Sequence, residues 1–216
     1  MKKLMFLLIA VVMAISTGCS KDESDKSTIH VNAPSQVEQT QTPTIKPTQT
    51  PTQAPTQVPE PDYIKAGMYK IGTDLEAGEY VITSDGMAYL AVTKDSTGKF
   101  ESIIANENII NRAIITVKDD QYLEVIGGKI YPFSDAPKVD TTSGKLPDGT
   151  YKVGIDIPGG EYKVAAQDGM GYFAVLKDSS GVLYSIVANS NFEGEKYVTV
   201  KDGQYLQLKG ATLIMK

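Results

Sequence analysis

Short stretches in which apolar and polar residues alternate, separated by clusters of glycine, aspartate and serine, run through the chain after residue 62. Alternation with a period of two is typical of β-strands that bury one face, and the polar clusters are typical of turns. No segment has a sustained helical period, and Ala105–Arg112 is the only place where the pattern allows a helical turn. In the first half of this region the pattern predicts six or seven strands, at about Met68–Ile71, Glu79–Thr83, Met87–Lys94, Lys99–Ile104, Ala113–Lys118, Gln121–Ile126 and Lys129–Phe133.

The same pattern then occurs a second time. Its clearest segment is YKIGTDLEAGEY at residues 69–80, which returns as YKVGIDIPGGEY at residues 151–162. Equivalent residues are 82 positions apart before the first hairpin turn and 83 apart after it, because Gln167 is an extra residue. Roughly half of the aligned positions are identical, and the unit is longer than the about 20 to 50 residues of solenoid repeats. The chain therefore carries a duplicated domain.

The two copies predict an all-β fold of two tandem small antiparallel β-sandwich repeats, jelly-roll-like in type. We place repeat 1 at residues 63–133, a connector at 134–147 and repeat 2 at 148–216. A core of about 70 residues is marginally stable without disulfides or metal. We therefore expect the repeats to stabilise each other, either by close packing, which we favour, or by the exchange of a final strand.

Residues 1–19 have the composition of a lipoprotein export signal. Lysines at the start precede an apolar run from Leu4 to Ile15, which is too short to span a bilayer. The segment STGC that follows resembles a bacterial lipobox, and this resemblance implies cleavage before Cys19 and a lipid on its sulfur. Ser16 stands where the lipobox usually has leucine. The alternative is an ordinary secretory signal that leaves Cys19 as an unpaired thiol.

Residues 20–62 are predicted to be a disordered linker, because they are rich in threonine, proline and glutamine and poor in apolar side chains. Proline favours an extended, polyproline-like spacer. At about 3.1 Å per residue, such a spacer reaches on the order of 100 Å. We expect the repeats to lie on the outer side of the cell membrane, anchored to it through Cys19.

The scarcity of histidine and cysteine excludes several kinds of active site from the repeats. The only histidine, His30, lies in the predicted linker, and Cys19 is the only cysteine. Catalytic triads, cysteine–histidine pairs and histidine metal sites are thereby excluded. Paired carboxylates remain, but aspartate beside glycine is also a common turn residue. The repeated carboxylates are Asp74/Asp156, Glu79/Glu161, Asp85/Asp168 and Asp95/Asp178. We predict that the protein is not an enzyme and carries no cofactor.

The charge of the chain argues against a nucleic-acid partner. Loss of Lys2 and Lys3 with the signal leaves 19 basic residues against 26 acidic ones, a net charge of about −7. Proteins that bind nucleic acids neutralise phosphates with clusters of lysine and arginine. The repeats contain no such cluster.

Two kinds of side chain, each found in both copies, are candidates for ligand binding. The alternation places Tyr122 and Tyr205 on the solvent face of a strand. Exposed tyrosine rings stack on sugars or fill protein interfaces, and the alternative is a half-buried tyrosine that only stabilises its strand. An Ala-Asn-x-Asn segment, predicted as a loop, supplies Asn106 and Asn108 in repeat 1 and Asn189 and Asn191 in repeat 2.

Calcium is the metal that the asparagine oxygens would suit, together with nearby aspartates. Asparagine is, however, a common loop residue, and no spaced acidic loop of the EF-hand type is present. We therefore predict no metal site, with calcium as the alternative.

The repeated openings, the SI(I/V)AN segments at residues 102–106 and 185–189, and the lipobox with its proline- and threonine-rich linker resemble those of surface lipoproteins of Gram-positive bacteria, clostridial in type. This resemblance implies a β-rich extracellular module attached to the cell envelope, and it implies no particular activity. A fainter resemblance, in Gly-Glu-Tyr followed by an Asp-Ser-x-Gly turn, to jelly-roll domains of secreted bacterial peptidases supports the fold.

Two functional hypotheses follow. The first is a membrane-anchored extracellular binding or adhesion protein, whose duplicated modules bind a glycan or protein of the cell envelope or of a host. The second is a structural or accessory envelope protein, whose modules mediate the assembly of an oligomer or complex.

Overall fold

The computed structural model describes residues 62–215. The predicted signal with Cys19, and the predicted linker up to residue 61, lie outside this range. Within it the secondary structure consists of β-strands and short 3-10 turns, and no helix is long and apolar enough to cross a membrane.

The strands form two six-stranded sheets in which every pairing is antiparallel. Module 1 contains β1 (Ile64–Lys70), β2 (Gly78–Thr83), β3 (Ala88–Thr93), β4 (Ile103–Ile109), β5 (Arg112–Val117) and β6 (Tyr122–Pro132). Module 2 contains β7 (Lys145–Leu146), β8 (Gly149–Lys152), β9 (Gly160–Leu176), β10 (Ile186–Val200), β11 (Tyr205–Lys209) and β12 (Ala211–Ile214). Each sheet curls around its own apolar core. The predicted all-β fold with two small antiparallel domains is confirmed.

The two modules have the same strand register at equivalent positions. Lys70 lies opposite Tyr122 in module 1, as Lys152 lies opposite Tyr205 in module 2. The long strand β9 corresponds to β2 and β3 together, and β10 corresponds to β4 and β5. β7 occupies the end of the range predicted as a connector. All pairings join strands of the same module, so the described residues show no exchanged strand.

The repeated opening segment stabilises its own loop by local hydrogen bonds. The Asp74 carboxylate accepts a hydrogen bond from the Lys70 backbone N–H at 2.8 Å, and Asp156 does the same for Lys152 at 2.9 Å. Gly72, which lies between Lys70 and Asp74, has a φ of 84°, a value that favours glycine. The Tyr80 hydroxyl donates to the Glu76 carbonyl at 2.8 Å and closes the following turn. The residues shared by the two opening segments therefore have a structural role, because they hold this loop and turn together.

Module 1 differs from the sequence prediction at several places. The helical turn that the pattern allows at Ala105–Arg112 does not form, because β4 runs through Ile109 with its asparagine side chains turned to solvent. The strand predicted to begin at Lys99 begins at Ile103, after a 3-10 turn. Gly127 and Gly128, with φ of 72° and 80°, bend β6 without ending it, so two predicted strands are one.

The modules pack against each other through different faces. Val81 and Ile114 of module 1 meet Ala174, Leu176 and Tyr205 of module 2 in a buried apolar cluster. The sequence alternation predicts that Val81 faces solvent, because it lies on the opposite face of the strand from Tyr80 and Ile82 and matches Lys163 in repeat 2. This prediction is wrong, because the contact between the modules fully covers the Val81 side chain. The expected close packing of the repeats is confirmed.

Candidate binding cleft between the modules

Glu79 on β2 is the polar centre of the contact between the modules. Its carboxylate accepts hydrogen bonds from Lys152 Nζ at 2.6 Å, from Ser179 Oγ at 2.8 Å and from the Tyr205 hydroxyl. The neighbouring Thr116 backbone N–H donates to the Ser179 carbonyl at 2.9 Å. Hydrogen bonds to an ionised group are about twice as strong as neutral ones, so this cluster positions one module on the other.

The loop at residues 178–185 carries Ser179 into this contact. The Asp178 carboxylate accepts hydrogen bonds from the Ser180 and Ser185 hydroxyls, which hold the pKa of that carboxyl below its usual value. Gly181 has a φ of 73°, and a Cβ at this position would lie 2.8 Å from the Ala105 Cβ of module 1. The loop therefore needs glycine here to lie against the end of module 1.

We name the two sides of this contact by their chemistry. The acceptor face is the surface of module 1 formed by Glu79, Ala105 and Thr116. The donor face is the surface of module 2 formed by Lys152, Ser179, Gly181 and Tyr205.

Two ionic contacts flank the centre. Arg112 of module 1 pairs with Asp156 of module 2 at 3.3 Å, and both side chains are almost fully buried. In the second contact, the Glu107 carboxylate accepts hydrogen bonds from the Lys209 ammonium and from Gln207 Nε2, the latter at 3.1 Å. The Glu107 contacts place side chains of β4 beside side chains of β11.

A cleft of about 200 Å³ opens between the modules next to Glu107. Its floor is apolar, with Leu90, Ala105 and Ile115 of module 1 and Leu176 of module 2. Polar and apolar side chains of both modules surround the opening: Asn106, Glu107, Tyr172, Leu183, Ile186 and Gln207. The cleft therefore combines an apolar base with amide, hydroxyl and carboxylate groups, which is the usual composition of a small-molecule site.

The rim of the cleft carries an exposed apolar residue. Leu183, in the 3-10 turn before β10, is 83% exposed and lines the opening. Its neighbour Tyr184 is 89% exposed. Phe100, the repeat equivalent of Leu183, is 85% exposed in module 1 but does not line this cleft. Leu183 and Phe100 are thus a matched pair for testing the cleft.

The predicted site residues fall in different places. Asn106 lines the cleft, and its amide donates to the Tyr89 hydroxyl at 3.3 Å. Asn108 is exposed on the same face of β4, where its carbonyl accepts a hydrogen bond from Lys209. Asn189 and Asn191 are exposed on β10, and Asn189 donates to the Tyr172 hydroxyl at 3.2 Å.

The two predicted tyrosines differ, although their sequence contexts match. Tyr122 is half-buried on the outer face of β6. Tyr205 is only 7% exposed, so the prediction that it faces solvent is wrong. Module 1 covers its ring, and burial together with the nearby Glu79 carboxylate raises the pKa of its hydroxyl. Of the two, only Tyr122 has a ring that a ligand could reach.

Several of the repeated carboxylates have structural partners. Asp74 and Asp156 hold backbone N–H groups, Asp178 holds its loop, and Glu79 joins the modules. Asp95 accepts a hydrogen bond from the Thr97 backbone N–H at 3.0 Å. Residues 62–215 contain no group of three or more acidic, histidine or cysteine side chains that could hold a metal ion.

The site residues predicted from the sequence do not include the cleft residues Glu107, Tyr172, Leu183 and Gln207. The sequence did contain one indication of the contact between the modules, since several residues at this contact differ between the two copies. Glu107 corresponds to Ser190, and Val81 corresponds to Lys163. Such differences arise where one copy is covered by its neighbour and the other is not.

Comparison with known proteins finds a family match in the second half of the chain. Residues 141–206, which include most of module 2, match the model of a family described as Rv1352-like extracellular domain. No curated protein and no solved structure matches the chain. The family match indicates that this is an extracellular protein.

Proposed function

We propose that the protein is a lipid-anchored extracellular binding protein, without catalytic activity, whose cleft binds the end of a glycan of the cell envelope or of a host surface. The cleft between the modules is the observation that carries this proposal. The extracellular family match supports the location.

The composition of the cleft favours a single sugar ring. Its volume of about 200 Å³ equals about seven water molecules at roughly 30 Å³ each, which is small for a drug-sized ligand. Tyr172 offers an aromatic ring beside the opening, and the amides of Asn106 and Gln207 offer donors and acceptors for hydroxyl groups. Apolar patches on a sugar ring would contact the leucine and isoleucine side chains.

The tether is the second part of the proposal. Cys19 would carry the lipid, and residues 20–62 would hold the modules away from the membrane. Glycans at some distance from the bilayer would then be within reach. A Gram-positive envelope of the clostridial type is the setting that the resemblance of the sequence favours.

Binding through the cleft predicts different effects for matched substitutions. We expect Asn106→Ala and Leu183→Ser each to weaken glycan binding by roughly tenfold, which corresponds to about 1.4 kcal/mol. Asn191→Ala and Phe100→Ser change equally exposed residues that do not line the cleft, and they should leave the affinity unchanged. A glycan array and insoluble peptidoglycan would identify the ligand for protein made from residue 20 onward, and calorimetry would measure the affinities.

The same experiment can refute this function. Absence of binding to every glycan would contradict a glycan receptor. Equal losses in the cleft variants and in the controls would place the binding surface elsewhere. Repetition with EDTA tests the calcium alternative, in which binding would be lost on chelation.

Lipid attachment predicts a covalent label. The wild-type chain should incorporate an alkyne analogue of palmitate in Gram-positive cells, and Cys19→Ala should incorporate none. Ser16→Leu restores the usual lipobox residue and should label at least as well as the wild type. An unlabelled wild-type protein with a free thiol would contradict the anchor.

A further inference from the structure

The contact between the modules is asymmetric, because module 1 contributes its acceptor face and module 2 its donor face. Each module is a copy of the same domain, so each also contains the equivalent of the other face. A contact between two different faces of a repeated unit leaves one of each unused. Here the unused surfaces are a second donor face on module 1 and a second acceptor face on module 2.

The unused faces keep the residues of the occupied ones, although only roughly half of the aligned positions are identical. The free acceptor face of module 2 has Glu161, Ala188 and Thr199, where module 1 has Glu79, Ala105 and Thr116. The free donor face of module 1 has Lys70, Ser96, Gly98 and Tyr122, where module 2 has Lys152, Ser179, Gly181 and Tyr205. Every residue by which the two faces were defined is therefore retained.

The backbone geometry of the unused faces is retained as well. Glu161 lies opposite Thr199 in the sheet, as Glu79 lies opposite Thr116. The loop that carries Ser96 has the same turn as the loop at residues 178–185. In both loops an aspartate accepts a hydrogen bond from the backbone N–H two residues later, at 3.0 Å in module 1 and 3.1 Å in module 2, and a 3-10 turn follows.

The retained side chains have no hydrogen-bonding role within their own modules. In the described part of the chain, the carboxylate of Glu161, the hydroxyl of Ser96 and the hydroxyl of Tyr122 make no hydrogen bond, whereas Glu79 accepts three. Glu161 and Ser96 are exposed. Stability of a single chain does not explain their identity, but a contact with another molecule does.

We propose that copies of this chain associate head to tail, with Glu161 of one copy accepting hydrogen bonds from Lys70, Ser96 and Tyr122 of the next. The internal contact is the template for this interface. The ends of such a pair again carry one free face of each kind, so further copies can be added at either end.

The contact between copies is weaker than the internal one, because it lacks the buried apolar residues of module 1 and one of the flanking ion pairs. Lys163 and Tyr197 stand in the places of the buried Val81 and Ile114. Glu195, which corresponds to Arg112 and pairs with Lys163 at 2.8 Å within its own module, would meet Asp74 in the place of Asp156, and two acidic groups repel. Association is therefore reversible, and tethering of the chains to one membrane would favour it by raising their effective concentration.

The test uses protein made from residue 20 onward. Analytical ultracentrifugation would measure its average molecular mass over a wide range of protein concentration. We expect the average mass to rise with concentration without a plateau at the dimer. Glu161→Gln and Tyr122→Phe should each weaken association by about tenfold and leave thermal unfolding of the monomer unchanged. Glu193→Gln removes the same charge from another exposed position of module 2 and should have no effect.

A gain-of-association variant completes the test. Glu195→Arg places an arginine opposite Asp74, as in the internal contact, and should strengthen association by about tenfold or more. Monomers at all concentrations, for both the wild type and Glu195→Arg, would overturn the proposal. A closed dimer, or an association that Glu161→Gln and Glu195→Arg leave unchanged, would also overturn it.

Discussion

Replacing Asp156 by alanine is expected to lower the free energy of unfolding by about 3–5 kcal/mol, because the buried Arg112 guanidinium would lose its counter-charge. The side chains of the pair are only 10% and 7% exposed, and the guanidinium donates to both carboxylate oxygens at 3.3 Å. A charge left alone in such a place cannot be compensated by water. Urea unfolding, followed by circular dichroism, would measure the loss.

Asp74→Ala is the matched control for this prediction. Asp74 is the repeat equivalent of Asp156 and holds the same backbone N–H group, but it is exposed and has no arginine partner. We expect it to cost about 1 kcal/mol, the usual value for one hydrogen bond. Equal losses in the two variants would show that the loop hydrogen bond, and not the ion pair, carries the stability.

Replacing Glu79 by alanine is expected to cost about 2–4 kcal/mol and to loosen the two modules from each other. Ser179 and Tyr205 are buried, and their hydroxyls would lose the carboxylate that accepts from both. Ser179 Oγ would keep its hydrogen bond with the Thr116 hydroxyl at 2.7 Å, so the Tyr205 hydroxyl carries most of the loss. Each buried polar group left without a partner costs about 1–3 kcal/mol. The Lys152 ammonium is partly exposed and can turn to water, so its loss adds less.

The equivalent substitution in module 2 separates stability from association. Glu161→Ala should change the free energy of unfolding by no more than about 0.5 kcal/mol, as is usual for exposed positions. A large loss of stability in Glu161→Ala would mean that this carboxylate has a role inside its own module, which would remove the argument for association. A negligible loss in Glu79→Ala would mean that apolar packing alone joins the modules.

The glycan-binding proposal and the association proposal can fail separately. The cleft is formed within one chain, so Asn106→Ala and Leu183→Ser act on binding without touching Glu161 or Tyr122. Glu161→Gln acts on association and leaves the cleft lining unchanged. Binding that persists in a strictly monomeric variant would support the first proposal alone.

The strand pattern and the repeat could be predicted because they depend on residues that are close in sequence. The loop of the repeated opening is made by Asp74 and the backbone of Lys70, and Gly72 lies between them. The prediction of a loop at the asparagines of β4 is wrong, because a strand with exposed polar side chains has an amino-acid composition similar to that of a loop. Only the pairing of β4 with β3 shows that Asn106 and Asn108 belong to a sheet.

The amino-acid sequence was sufficient for the all-β fold, the duplication and the exclusion of histidine and cysteine chemistry, since composition and short-range alternation carry these properties. The tertiary structure was needed to distinguish the two copies. Tyr122 and Tyr205 have nearly the same neighbours along the chain, yet only Tyr205 is buried against the other module. Two similar sequences cannot indicate which of their equivalent faces meet. Only the asymmetric packing of the modules shows which faces are in contact. The same packing forms the cleft and leaves the two other faces free.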